Sequence, residues 1–172
     1  MSDNMQDTAS AFYYSEHFGF RWPLWKSNPD DIIYMAAALL AVAAGDGELS
    51  GPERDWVAGY FAVKGYGAQV VDSVHSAEPS PVDEVVELMQ HGTLTFAGRI
   101  LLYDAIRACS ADGDYHEGER AAIHSLGAAL RLPDDVVTQI EALIDEEEAL
   151  KAKRIRLLMP EGHPNLDERY QP

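Results

Sequence analysis

The sequence predicts an all-α fold, a single-domain bundle of about seven helices, because its apolar stretches recur at helical spacing and none alternates as a strand does. Glycine and proline fall between those stretches, where helices stop and start. The third observation is an internal repeat. Asp46-Gly47 followed by Glu53-Arg54 returns as Asp112-Gly113 followed by Glu119-Arg120, at a constant offset of 66 positions. Each copy reads as a helical hairpin: an apolar run leads in, the glycine ends it, and capping residues restart the chain. The two Asp-Gly hairpins are therefore expected to be pseudo-symmetric. With 172 residues, 47% of them hydrophobic, the chain is long enough to fill one core.

Residues 1–28 form an aromatic N-terminal arm, with Phe12, Tyr13, Tyr14, Phe18, Phe20, Trp22 and Trp25 crowded together. Rings at such density bury large areas, so the arm is expected to fold back over the bundle with Trp22 and Trp25 covered. The other reading is a docking patch, with Arg21 and Lys26 as its positive charges. Pro23 and Pro29 keep the arm from being one long helix.

Residues 29–158 carry the helical domain. Asp30 or Asp31 opens a helix through Ala44 that is apolar nearly all round and therefore central. Ser50 caps the next, with Glu53 at capping-box spacing, Pro52 in the first turn, and Trp56, Val57, Tyr60 and Phe61 on one face. Gly65 and Gly67 break the chain before a short helix over Ala68 to Ala77. Ser80-Pro81-Val82-Asp83 starts another, with Val85 and Val86 in its apolar stripe and Gly92 as its stop. The second lead-in helix spans about Leu94 to Ser110, and its partner about Tyr115 to Leu130. In this copy Asp114, with Glu117 three residues on, is the expected cap. Leu132-Pro133-Asp134 opens a last helix that passes the acidic run Asp145 to Glu148 and the basic residues Lys151, Lys153, Arg154 and Arg156, whose charges suit a solvated face. Residues 159–172 have little to bury and are expected to form a flexible tail.

A net charge of −16 and a pI near 4.5 argue against a nucleic-acid partner, since phosphate binding needs a basic face. The one cysteine, Cys109, lies among apolar residues and reads as a buried thiol in a reducing compartment. No basic-then-apolar leader opens the chain, and the longest apolar run falls short of the about 20 residues a bilayer crossing needs. A cytoplasmic protein is expected, not a transmembrane one. No His-Glu-x-x-His, Glu-x-x-His, Walker loop or Gly-x-Ser-x-Gly is present, and Glu117 stands where an EF-hand loop needs glycine. The expectation is a non-enzyme.

Asp46, Glu53, Asp112 and Glu119 are the candidate site. If the hairpins pack about a twofold axis these carboxylates cluster and repel, and they must protonate, pair with Arg54 and Arg120, or hold a cation. All-oxygen ligands favour Ca²⁺, Mg²⁺ or Mn²⁺, with Zn²⁺ if His116 joins, and no organic cofactor is indicated. Capping is the competing role for Glu53 and Asp46. With Asp114 and Glu117 capping the second copy, Glu119 would have no such duty.

The pattern Ala-Asp-Gly, five residues, Glu, placed twice between amphipathic helices over roughly Pro29 to Glu148, resembles the TerB-like family of tellurite-resistance proteins, whose module also occurs in the membrane-anchored co-chaperone DjlA. Gly45 stands where that pattern prefers alanine. The resemblance implies a helical module that responds to tellurite or other chemical stress, working with a protein partner near the inner face of the membrane. A metal-free interaction module, presenting the acidic surface or the aromatic arm, is the alternative.

Overall fold

The structure is a computed structural model and describes residues 3–19, 29–90 and 98–172. Among them the chain forms eight α-helices and no strand. The lead-in helices of the two hairpins, α2 (Pro29–Ala43) and α6 (Gly98–Cys109), pack on one another at the centre. Residues 38 to 43 of α2 are all buried, as an all-round apolar helix requires. Their alanines let α6 approach closely, and three further helices rest on α2 as well: α3 (Gly51–Val63), α5 (Val82–Gln90) and α7 (Glu117–Ala129). On α6, Leu101, Leu102, Ala105, Ile106 and Cys109 complete the core, so the thiol is buried as expected.

The short helix α4 (Ala68–Ser76) packs on α3. Arg54 fixes it there, its Nη1 donating to the carbonyls of Val74 at 3.0 Å and Ala77 at 2.6 Å, where the helix leaves its last acceptors unpaired. The long α8 (Asp134–Leu158) lies against α6 and α7.

Segments near both ends of the chain pack on the bundle. The first part of the aromatic arm is a helix, α1 (Asp3–Phe18), which packs on α3 with Ser10 and Tyr14 buried and Phe12 in solvent. Phe20, Trp22 and Trp25 lie outside the described residues, as does the expected start of the second lead-in helix at Leu94. The segment 159–172, expected to be flexible, makes specific contacts. Asp167 caps a 3₁₀ turn, Glu168–Tyr170, and this aims two side chains back at the bundle. Arg169 donates to the carbonyl of Ala111 at 3.2 Å, and the Tyr170 hydroxyl bonds the Glu148 carboxylate and receives a bond from Lys151. A cation and a ring on one short turn supplied the anchors that composition alone did not suggest.

Candidate functional site

The two Asp-Gly turns have the same local structure. Gly47 and Gly113 take φ of 104° and 103°, a left-handed conformation that favours glycine. Asp46 Oδ1 accepts from the Glu48 N–H and Asp112 Oδ1 from the Asp114 N–H, each at 3.0 Å. The helices that follow also begin alike. Glu53 Oε2 accepts from the Ser50 N–H at 2.7 Å, and Glu119 Oε2 accepts from the His116 N–H at 2.6 Å. The cap of α7 is thus His116, not Asp114 with Glu117. His116 is the repeat's counterpart of Ser50, and Asp114 is held two residues earlier by its own turn. Glu119 therefore does have a capping duty, contrary to expectation.

The turns meet where glycine permits it. A Cβ on Gly118 would stand 2.7 Å from the Gly45 carbonyl oxygen and 2.8 Å from the Asp46 Cα; one on Gly45 would stand 3.0 Å from the Glu119 Cα. Gly45, the departure from the expected alanine, is what lets the start of α7 rest on the first turn. That contact carries Glu119 to Glu53. Both are buried, at 1% and 2% exposure, and the Glu53 carboxyl is close enough to act on that of Glu119. Burial, the neighbouring Glu53 carboxyl and the charge of Asp46 push the Glu119 carboxyl up to about 8, against the pull of the His116 N–H. A carboxyl raised that far keeps its proton at neutral pH, so Glu119 can offer the donor that two bare carboxylates would lack.

Asp46 and Asp112 stand at the rim. Asp46 Oδ2 lies 3.8 Å from His116 Nε2. Asp112 joins Glu119 and Glu53 in raising the Cys109 thiol well above its ordinary range, although burial is the larger cause. Neither repeat arginine serves the carboxylates: Arg54 caps α4, and Arg120 lies over the Tyr115 ring and 3.5 Å from Glu141. Among the described residues no three His, Cys, Asp or Glu side chains are gathered closely enough to form a metal-ligand set. The structure thus joins two of the four candidate residues directly and leaves two beside them.

A second buried ionic group was missed. Lys64 Nζ, at the end of α3, lies 3.2 Å from Asp104 Oδ2 and donates to Tyr60 Oη at 2.6 Å, beneath α1, whose Ser10 hydroxyl bonds the Lys64 carbonyl. Burial lowers the Lys64 ammonium and raises the Asp104 carboxyl, while each opposes the shift of the other. The signal was present: Asp104 falls among core positions between Leu101 and Ile106.

No protein-family model and no curated protein matches this chain. Among solved structures, a tellurite resistance protein from Nostoc punctiforme PCC 73102 is similar to it at 30% identity and a TM-score of 0.74, covering 95% of this chain and 99% of that one. The chain belongs to this tellurite resistance protein family. The TerB-like fold expected from the repeated motif is the fold observed. Within that family fold the repeat has a physical sense: two equal hairpins place two equal capping glutamates at one junction. No helix among the described residues is long and apolar enough to cross a membrane.

Proposed function

We propose that this chain is a stress-response module of the tellurite-resistance type whose working centre is the hairpin junction, where a divalent cation between Glu53 and Glu119 takes the place of the Glu119 proton. One observation carries this reading: two glutamates from different hairpins are buried within each other's influence, with no arginine to neutralise them. Such a pair must carry positive charge from elsewhere, as a proton or as a metal. Glu53 and Glu119 would hold the ion, and Asp46 and Asp112, each bonded to its own turn through Oδ1, are the nearby carboxylates. Hard oxygen donors favour Ca²⁺, Mg²⁺ or Mn²⁺, with water completing the shell; His116 beside Asp46 is the route to Zn²⁺.

The second reading is a metal-free interaction module, supported by the raised Glu119 carboxyl, whose proton removes one of the two like charges without a metal. In either form the module acts by binding, with a protein partner at the inner face of the membrane. Metal analysis of protein purified without chelator, followed by calorimetry with chelator and with each ion, separates the two. No bound metal and no thermal shift for any ion would retire the cation site. Loss of tellurite protection in cells on Glu53→Gln would tie the junction to the stress response, and full protection would cut that tie.

A further inference from the structure

We propose that α8 is a self-association surface, on which a second copy of this chain docks antiparallel about a twofold axis at Leu150. The buried positions of α8 are Val137, Glu141 and Ile144. At helical periodicity the opposite face carries Leu143, Leu150 and Leu157, seven residues apart, and these are 45%, 57% and 73% exposed. Leucines repeated at that spacing line up on one solvent face, with charged residues at the turns between them.

The charges along the seam identify its occupant. Glu146 precedes Leu150 on this face, and Lys153 and Arg154 follow it, while Glu147 turns to α6, where Arg107 and Tyr103 hold it. In an antiparallel pair centred on Leu150, each Leu143 meets the second copy's Leu157. Glu146 then lies on the same side of the seam as the second copy's Lys153, one residue from level. The face is complementary to its own reverse, the requirement for an isologous interface. An anionic membrane fits it less well, since Glu146 offsets part of the seam's basic charge and the chain as a whole carries −16. Glu146, Lys153 and Arg154 make no ion pair among the described residues and are exposed, so they are available. A contact of one helix on one helix lies at the small end of specific interfaces, below about 1,200 Å² in total, so micromolar association is expected.

Sedimentation or light scattering of the full chain at physiological ionic strength tests this. The mass should rise with concentration from 19.0 kDa toward twice that value. Leu150→Glu, on an exposed position that leaves the fold intact by circular dichroism, should weaken association at least about tenfold. Glu146→Lys should do likewise by setting like charges opposite one another, and adding Lys153→Glu to it should restore the dimer, as only the antiparallel register predicts. A chain that stays at 19.0 kDa at all concentrations overturns the proposal. So does a dimer indifferent to Leu150→Glu, or a charge swap that fails to rescue. A monomer whose binding to phosphatidylglycerol vesicles depends on Leu150 would assign the seam to lipid instead.

Discussion

Two pairs of ionisable side chains lie buried in this bundle, and they meet the cost of burial in opposite ways. Under α1, Lys64 faces Asp104 with Tyr60 beside them, so opposite charges answer each other inside the fold. At the hairpin junction Glu53 faces Glu119, so like charges are forced together and something from outside must answer them. The first arrangement is complete apart from Asp104 Oδ1, which is buried without a hydrogen-bond partner. The second is complete only with a bound proton or cation. The contrast teaches where to look for function: a compensated pair holds elements together, whereas an uncompensated one couples the fold to its surroundings.

Breaking the compensated pair should have the largest effect. Lys64→Met leaves the Asp104 carboxylate buried and alone, and is expected to cost about 3–5 kcal/mol by chemical denaturation. Adding Asp104→Leu should recover most of it, because the apolar pair removes the stranded charge. The loss should be the same with and without divalent ions.

The uncompensated pair should respond to ions instead. Cation at a hundred times its dissociation constant is expected to stabilise the native state by about 2.7 kcal/mol in a thermal scan. Asp112→Asn should weaken that gain while the chelated protein stays folded, since the amide oxygen keeps the turn bond to Asp114. An equal shift of the variant with and without ion would mark Asp112 as structural only.

Separating the hairpins tests whether their contact creates the coupling. Gly118→Ala drives a methyl group against the Gly45 carbonyl oxygen and should cost about 1–3 kcal/mol. Gly59→Ala, in α3 with nothing within 4 Å, should be mildly stabilising and serves as the control.

The gentlest test is pH. Because the folded state raises Glu119 from its ordinary 4.5 to about 8, the folded protein binds the extra proton and the unfolded chain does not. This contribution is fully present below about pH 4.5 and is lost as pH rises to about 8, at up to about 1.4 kcal/mol per pH unit. Chelated protein should therefore lose stability across that window. Glu53→Gln, whose amide can donate to Glu119 without an extra proton, should flatten the slope. A flat wild-type profile would show that the pair holds no extra proton.

The residues that govern backbone conformation were readable in order. Gly47 and Gly113 announced two left-handed stops, Ser50 with Glu53 announced a cap, and the apolar run through Val42 announced a central helix. Local rules went wrong where two of them competed. Asp114 is the better N-cap by type, yet His116 holds that place: its backbone is extended and Glu119 accepts its N–H, while Asp114 is bound into the Asp112 turn.

By itself, then, the sequence determined the helices, the repeat and the four carboxylates, since each depends on neighbours a few residues apart. Only the tertiary structure decided which carboxylates meet. Glu53 and Glu119 touch because Gly45 and Gly118 allow two hairpins to approach closely, while Asp46 and Asp112 stay bound to their own turns. The pairing of Lys64 with Asp104, 40 positions apart, was decided in the same way. Spacing along the chain fixes what one helix presents, but contact between helices depends on how closely their backbones can pack, and that is a property of the whole fold.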